Sequence, residues 1–272
     1  MKNLFDVKNK VIIITGGGGV LGGQMAEYLL QNEATVVILD YKQDIIDAAL
    51  TRLKTDANTV AGYVCNVLDE DSLKEACANI ISEFKTIDVL INAAGGNMPG
   101  ATIGEDQTIF DVKIDDFKKV VDLNLFGSVL PSLVFGKEMA NNKQGTIINI
   151  SSMTAQSAIT RVVGYSASKA AIDNFTKWLS VELALKYGDG LRVNAIAPGF
   201  FIGNQNRDLL INKEDGSYTD RGNTIIKNTP MKRFGEAEEL NGSIHFLCSE
   251  ASKFITGIVV PIDGGFSAFS GV

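Results

Sequence analysis

Short apolar runs that predict buried strands alternate with longer helical patterns along almost the whole sequence. The runs are rich in Val, Ile and Leu, as is typical of strands that are buried on both faces of a parallel sheet. The predicted strands cover residues 11–14, 35–40, 62–65, 88–92, 145–150, 191–196 and 259–262, and the predicted helices cover residues 22–32, 43–54, 70–84, 116–140, 165–186 and 236–249. Strands that alternate with helices pair in parallel through right-handed crossovers. The sequence therefore predicts an α/β, Rossmann-type fold with a doubly wound parallel sheet of about seven strands and helices on both faces.

The length of the chain and its even composition predict one domain over residues 1–272. The sequence contains no Pro/Ser-rich linker, no repeat and no low-complexity tract. Residues 96–112 and 200–229 have no clear role in the sheet, and both follow strand ends. Because open α/β sheets bind ligands outside the carboxyl ends of their strands, we expect these two segments to be substrate loops.

The charge and the apolar pattern argue against two classes of partner. The formal net charge of −7 disfavours nucleic acid, which requires a basic face. The first residues lack a signal-peptide pattern, and no apolar run approaches the ~18 residues that a membrane span needs. We expect a cytoplasmic protein with neither a nucleic-acid nor a membrane partner.

The cysteines and the one histidine argue against a metal site. Cys65, Cys77 and Cys248 have no CxxC spacing, so neither a disulfide framework nor a zinc site is indicated. His245 lies among apolar residues and is interpreted as a core histidine with satisfied hydrogen bonds. One histidine also excludes a histidine-rich metal site and argues against a Ser-His-Asp triad. No metal is expected.

A glycine-rich turn joins the first predicted strand to the first helix. Gly17, Gly19 and Gly22 match the spacing of a dinucleotide-binding turn. Glycines allow the backbone to approach a pyrophosphate, and the helix N-terminus offers N–H groups to the anion. The predicted cofactor contacts in this turn are Gly16, Gly18, Gly19, Val20, Leu21 and Gly22.

An acidic residue ends the second predicted strand. Asp40 can accept hydrogen bonds from a ribose diol and would repel a 2′-phosphate, which favours NAD over NADP. The alternative interpretation of Asp40 is a turn or helix-capping residue. Lys42 is near enough in sequence to keep NADP open as a second cofactor.

A set of motifs in fixed order resembles the short-chain dehydrogenase/reductase family along nearly the whole chain. The motifs are the turn from Thr15 to Gly22, Asn92-Ala93-Ala94-Gly95, Asn124, Ser152, Tyr165-Ser166-Ala167-Ser168-Lys169, Pro198-Gly199 and Asp263-Gly264-Gly265. The resemblance implies a single-domain dehydrogenase or reductase that binds NAD or NADP and forms a homotetramer or homodimer. It also implies further cofactor contacts, at Asn66, Val67, Asn92, Ala93, Gly95, Tyr165, Lys169, Pro198, Gly199 and Phe201.

The chain departs from the family pattern at three places. Val20 occupies the position of the middle glycine of the turn, and Asn66 stands where an aspartate usually contacts adenine. Phe200 and Phe201 follow the Pro-Gly motif, where the family commonly has a threonine that contacts the nicotinamide. We expect the two rings to pack over the nicotinamide or over the neighbouring loop, and Trp178 to lie in the core or at a subunit interface.

The Tyr165–Lys169 spacing predicts an acid–base pair on one helix face. A free tyrosine has a pKa of about 10, so the sequence predicts that the nearby lysine lowers it. The resemblance implies that Lys169 also holds the nicotinamide ribose, that Ser152 binds the substrate oxygen, and that Asn124 anchors a water that feeds protons to the lysine. The predicted catalytic residues are Asn124, Ser152, Tyr165 and Lys169.

The loops at residues 96–101 and 200–207, and the segment from 215 to 231, resemble the D-mannonate oxidoreductase (fructuronate reductase) branch of the family. A sugar acid needs polar partners for its hydroxyls and a cation for its carboxylate. Asn97 and the run Asn204-Gln205-Asn206 suit the hydroxyls, and Arg161 or Arg207 suits the carboxylate. Together with Ser152, these residues form the expected substrate site.

Other functions remain open at this point. One is a 3-oxoacyl-carrier-protein reductase, which would prefer NADPH and an acidic carrier partner. Others are a different sugar or polyol dehydrogenase, and a sugar-nucleotide epimerase, which usually carries a longer C-terminal domain. A non-catalytic nucleotide-sensing regulator could use the same fold, although the complete Ser152, Tyr165 and Lys169 set argues against it.

Overall fold

The computed structural model describes residues 3–203 and 207–271. Its strands are β1 (Val11–Thr15), β2 (Thr35–Asp40), β3 (Thr59–Val64), β4 (Val89–Asn92), β5 (Gly145–Ile150), β6 (Leu191–Pro198) and β7 (Val259–Ile262). They form one parallel sheet in the order β3-β2-β1-β4-β5-β6-β7. The strand order reverses between β1 and β4, which is the point where ligands bind in this kind of sheet. The predicted single-domain Rossmann fold with seven strands is confirmed.

Helices join the strands in sequence. They are α1 (Val20–Gln31), α2 (Gln43–Leu53), α3 (Glu70–Phe84), α4 (Ile114–Val121), α5 (Gly127–Asn141), α6 (Val163–Tyr187), α7 (Arg207–Leu210), α8 (Asp220–Asn228) and α9 (Asn241–Cys248). A π-helical segment, Asp122–Phe126, connects α4 to α5 without a break. The predicted helix over 116–140 is therefore three segments, and the one over 236–249 is a 3-10 turn followed by α9.

Two apolar clusters cover the two faces of the sheet. Successive strand residues point to opposite faces, so Ile12 and Ile14 of β1 lie in one cluster and Ile13 lies in the other. The first cluster includes residues of α1, α2 and α9, and the second includes residues of α3, α5 and α6. This division is the physical basis of the doubly wound layering. It leaves the carboxyl ends of the central strands open to the segments that build the site.

One helical stretch differs from the expectation that no run is long and apolar enough for a membrane. Among the described residues, Ile114–Asn141 passes that test by length and composition. It does so because α4, the π segment and α5 join end to end. Since α5 packs against β4, β5, α3 and α6, this stretch contributes to the protein core, and core helices pass the same test.

His245 has the satisfied hydrogen bonds that the sequence predicts, but it is half-buried on α9 and not a core residue. His245 contacts the Tyr28 hydroxyl at 3.2 Å and the Phe5 carbonyl at 2.5 Å, so both ring nitrogens have partners. The three cysteines are free and buried. None of these residues belongs to the site at the strand ends.

Candidate functional site

The glycine turn after β1 has a conformation that only glycine tolerates. Gly16 has a φ of +64°, and a Cβ atom there would lie 2.9 Å from the Ala94 Cα. A Cβ on Gly22 would lie 2.6 Å from the Gly16 carbonyl oxygen. Helix α1 begins at Val20 with Gly19 as its N-cap and without a side-chain cap, which leaves its first N–H groups for an anion. Val20 and Leu21 thus contribute backbone, which explains why a valine fits the usual glycine position.

Asp40 connects the end of β2 to this turn. Its carboxylate accepts hydrogen bonds from the Gly18 N–H at 3.2 Å and the Tyr41 N–H at 2.9 Å, and the residue is 8% exposed. The Lys42 amine lies 5.0 Å from the centre of the Tyr41 ring. The carboxylate, and not the lysine, therefore borders the turn.

The residues after β3 lie beside Asp40. The Cys65 N–H donates to the Asp40 carbonyl at 2.8 Å, and the exposed Asn66 accepts from the Leu68 N–H at 3.1 Å. Val67 is buried, and its side chain limits the space at Gly127. Asn66 and Val67 therefore lie between the end of β2 and the start of α5.

The motif after β4 holds the centre of the site. The Asn92 amide nitrogen donates to the Ser128 carbonyl, the Ser132 hydroxyl and Asn149, so its side chain connects β4 to α5 and β5 and not to the crevice. The Ala93 N–H donates to the Thr15 hydroxyl at 3.1 Å. Asn92 therefore acts on the site through the backbone that follows it.

Gly95 separates two of the predicted catalytic side chains. A Cβ atom on this residue would lie 2.7 Å from Asn124 Oδ1 and 3.5 Å from Lys169 Nζ. Even an alanine would therefore press against Asn124, and its Cβ would be in van der Waals contact with Lys169. Glycine here keeps the crevice open between the asparagine and the lysine.

Asn124 lies in the π-helical segment and is fully buried. Its amide nitrogen donates to the Gly96 carbonyl at 2.6 Å and the Val120 carbonyl at 2.8 Å, and its Oδ1 accepts from the Gly96 N–H at 3.1 Å. π-Helical turns are frequent at functional sites because they redirect one residue. Here the redirected asparagine clamps the Gly96 peptide.

Ser152, Tyr165 and Lys169 meet at the carboxyl end of β5. Ser152 forms a hydrogen bond with Tyr165 and accepts one from the Thr154 N–H at 3.3 Å. Lys169 is 3% exposed; its Nζ donates to the Ile150 carbonyl at 2.7 Å and lies 5.4 Å from the centre of the Tyr165 ring. The three side chains that the sequence predicts as partners are therefore adjacent.

The pKa values in this group differ in cause from the sequence-based expectation. Burial raises the pKa of Tyr165 above its usual value, and the opposing effect comes from its hydrogen bond with Ser152, not from Lys169. Burial also lowers the pKa of Lys169 to about 8, against the attraction of Asp173. Lys169 does not act on the pKa of Tyr165 because its ammonium lies over the ring and donates to the Ile150 carbonyl, not to the phenol oxygen.

Sequence reasoning missed two residues that support Lys169. The Ser151 hydroxyl donates to the Asp173 carboxylate, and burial raises the pKa of Asp173 while this hydrogen bond, Lys177 and Lys169 oppose that rise. Asp173 lies four residues after Lys169 and shares its helix face, which is a signal that the sequence contains. Ser151 directly precedes Ser152 and carries no motif signal of its own.

The end of β6 is packed and not open. The Gly199 N–H donates to the Ile262 carbonyl at 2.9 Å, directly after Pro198 ends the strand. Phe201 is buried in the core beside Gly235. Phe200 makes an edge contact with Phe266 at 5.2 Å and packs with apolar residues of the 200–229 segment, so the expectation that it lies against that loop is met.

The predicted substrate residues are only partly brought together. Asn97 donates to the Thr102 hydroxyl at 2.8 Å, while its buried Oδ1 has no hydrogen-bond partner. The Ile103 N–H donates to the Arg161 carbonyl at 2.9 Å, which ties the 96–112 segment to the residues before α6. Arg207 is exposed in α7. The expected contacts of Asn204, Gln205 and Asn206 lie outside the described residues.

Comparison with known proteins gives consistent matches over the whole chain. A family model described as enoyl-(acyl carrier protein) reductase matches residues 19–267. The uncharacterized oxidoreductase UxuB of Bacillus subtilis is 45% identical over 98% of this chain and 98% of its own length. A 2-dehydro-3-deoxy-D-gluconate 5-dehydrogenase of Formosa agariphila is 35% identical over 99% of this chain and 97% of its own.

A solved structure matches equally well. It is a protein from Haemophilus influenza, provisionally assigned as a D-mannonate oxidoreductase and solved with bound NAD. It has a TM-score of 0.90 and 44% identity, and the match covers 99% of this chain and 100% of the other. Fold, site and matches define a nicotinamide-dependent oxidoreductase that acts on CH–OH groups. The chain belongs to the short-chain dehydrogenase/reductase family.

Proposed function

We propose that the protein interconverts a sugar acid and its keto form with NAD, the substrate pair being D-mannonate and D-fructuronate. The observation that carries the reaction type is the adjacency of Ser152, Tyr165 and Lys169 beside the glycine turn. The choice of a sugar acid is supported by the names of the relatives from Formosa agariphila and Haemophilus influenza.

The residues at the strand ends fit a dinucleotide. The space at Gly16 would be filled by a Cβ atom, and the uncapped start of α1 suits a pyrophosphate. Asp40 would hold the adenosine ribose and repel a 2′-phosphate, so we propose NAD as the cofactor, with NADP as the alternative. The bound dinucleotide supplies or accepts the hydride. Asn66, Val67, Ala93, Gly95, Lys169 and Gly199 would complete its site.

The chain's own groups then handle the proton. Tyr165 and Ser152 would both contact the oxygen of the reacting carbon, with Tyr165 accepting its proton during oxidation and returning it during reduction. Ser152 would stabilise the charge that develops on the phenol oxygen, since its hydrogen bond opposes the rise of the Tyr165 pKa, and Lys169 would hold the nicotinamide ribose beside it. Asn124 would keep the Gly96 peptide and the floor of the crevice in place.

The substrate would lie under the 96–112 and 200–229 segments. The buried, unpartnered Oδ1 of Asn97 can accept a hydrogen bond from a sugar hydroxyl. Arg161 offers a cation at the start of α6. This arrangement suits an acyclic polyhydroxy acid with its carboxylate at one end.

We also propose that the protein assembles as a homotetramer or homodimer. Trp178 is 61% exposed on α6, so it is not a core residue. Val181 and Leu185 on the same helix and Leu133 on α5 are exposed as well. Apolar residues on neighbouring helices suit a subunit interface. Location in the cytoplasm stays a prediction.

The proposal is tested by the change in NADH absorbance with purified protein. The panel contains D-fructuronate and D-mannonate, a 3-oxoacyl carrier-protein substrate and simple ketones, each with NAD(H) and NADP(H). We expect the highest kcat/KM for the sugar-acid pair with NAD(H). A higher value for the acyl substrate with NADPH would overturn the proposed substrate while leaving the reaction type intact.

A further inference from the structure

Arg221 is a half-buried cation that sequence reasoning did not single out. It lies in the first turn of α8, and its guanidinium donates to the hydroxyl of Thr160 at 3.3 Å and to the carbonyl of the same residue at 3.4 Å. Both partners are neutral, and no carboxylate lies within ion-pair distance of it in the part of the chain that the structure describes. The positive charge of Arg221 is therefore not neutralised by these partners, and the guanidinium can still bind an anion.

Arg161, the residue after Thr160, brings a second guanidinium to the same place. Its backbone has a φ of +78°, an unusual conformation for an arginine, and its side chain is 24% exposed. Its carboxylate partner is Glu105 at 2.9 Å, and the Glu105 side chain is 79% exposed. Burial and the charge of Arg161 both lower the pKa of Arg221, so the two cations are close enough to repel each other. Of the two guanidiniums, Arg161 has an exposed carboxylate partner, and Arg221 is bonded to the neutral groups of Thr160.

This cation pair lies within reach of the catalytic tyrosine. Arg161 precedes Tyr165 by four residues, a stretch that spans at most about 14 Å even when fully extended. The hydrogen bond from Ile103 to the Arg161 carbonyl places the Asn97 loop beside it. A polyhydroxy chain that begins at Tyr165 can thus pass Asn97 and end at the two arginines.

We propose that Arg221 and Arg161 together bind the carboxylate of the substrate and make the enzyme selective for acids over neutral polyols. This inference rests on the proposed sugar-acid function. Guanidinium groups bind carboxylates through paired hydrogen bonds, and partial burial strengthens the attraction. A carboxylate relieves the repulsion between the cations, whereas a neutral polyol leaves it unchanged, so both the attraction and this relief favour the acid.

Arg221 is supplied by the 200–229 segment, and Arg161 by the residues just before α6. Binding of the carboxylate therefore needs α8 to be seated on Thr160. Arg207, the other cation predicted for this role, is exposed on α7, so we assign it no part in the site.

The test compares Arg221→Gln and Arg161→Gln with Lys227→Gln, which removes the same charge from an exposed position later in α8. We expect each arginine variant to raise KM for D-mannonate by about 10- to 100-fold with a smaller change in kcat, since hydrogen bonds to charged groups are the ones lost. The lysine variant should keep the wild-type KM. An unchanged KM in Arg221→Gln, with active wild-type enzyme, overturns the inference alone, and a raised KM in Arg207→Gln instead would reassign the site.

A second measurement separates this inference from the proposed reaction. Thermal unfolding is followed with D-mannonate and with D-mannitol, because stabilisation by a ligand does not require turnover. Stabilisation of the wild type by D-mannonate that is lost in Arg221→Gln supports the carboxylate site, even if no sugar acid is turned over and the proposed function fails. Equal stabilisation of both proteins, or stabilisation of neither, overturns the site.

Discussion

The group around Tyr165 and the 200–229 segment are held in very different ways. Lys169 and Asn124 are buried and bonded to the backbone of β5 and of the loop after β4, respectively. The described part of the 200–229 segment has two short helices, is mostly exposed, and packs through a small apolar cluster around Leu210, Ile225 and Phe234. We call the sheet, the glycine turn and the group around Tyr165 the framework, and residues 200–229 the peripheral segment. The framework therefore fixes the reaction, and the peripheral segment can change the substrate without disturbing it.

The largest expected effect lies in the framework. Tyr165→Phe removes the proton-transferring hydroxyl and should lower kcat by about 10²- to 10⁴-fold, the usual contribution of general acid–base catalysis. Binding of NADH, measured by fluorescence titration, should stay near the wild-type affinity. Near-normal turnover would show that another group carries the proton.

The next effect concerns the choice of cofactor, which the comparison also assigns to the framework. Asp40→Ser removes the carboxylate beside the glycine turn. It should shift the NADP:NAD ratio of kcat/KM by about 10- to 100-fold towards NADP, because the 2′-phosphate of NADP would no longer be repelled by a carboxylate. The control is Asp56→Ser, an exposed position before β3, at the opposite end of the sheet. A ratio that stays constant in Asp40→Ser would remove this residue from the cofactor site.

Alanine substitutions at one glycine in each region test how strongly each region affects the free energy of unfolding. Gly16 and Gly216 both have positive φ, but a Cβ would meet the Ala94 Cα at 2.9 Å in the first and no atom within 4 Å in the second. Gly216→Ala should lower the free energy of unfolding by about 1–2 kcal/mol, the cost of the left-handed conformation. Gly16→Ala should lower the free energy of unfolding by about 1–3 kcal/mol more than Gly216→Ala, because the backbone at Ala94 must also shift to make room for the Cβ atom. Equal losses in urea unfolding would show that the turn after β1 is as pliable as the loop.

The smallest expected effect is a shift of the pH profile. Burial favours the neutral phenol and raises the pKa of Tyr165 above its usual value of about 10, so kcat/KM for alcohol oxidation should still be increasing with pH in the alkaline range. Ser152 opposes that rise, and Ser152→Ala should therefore move the increase to higher pH. Arg221→Gln should leave the position of the profile unchanged. A profile that moves to lower pH in Ser152→Ala would contradict the assigned hydrogen bond.

The two regions also differ in how far the sequence predicts them. The strand pattern and the order of the motifs are local signals, and they predict the sheet, the glycine turn and the meeting of Ser152 with Tyr165. The π-helical segment was not predicted, because the widened turn around Asn124 depends on its bonds to Gly96, which is distant in sequence. The pairing of Arg221 with Thr160 is equally non-local, since 61 positions separate them. Such contacts depend on how loops are seated and leave no periodic signal.

The most direct test of this division measures kcat/KM for D-mannonate and for D-mannitol in three proteins: the wild type, Ser152→Ala and Arg221→Gln. If the framework performs the chemistry and the peripheral segment selects the acid, Ser152→Ala lowers both values by the same factor, and Arg221→Gln lowers the value for D-mannonate alone. The account is contradicted if Arg221→Gln lowers both values equally, or if Ser152→Ala changes the ratio between them.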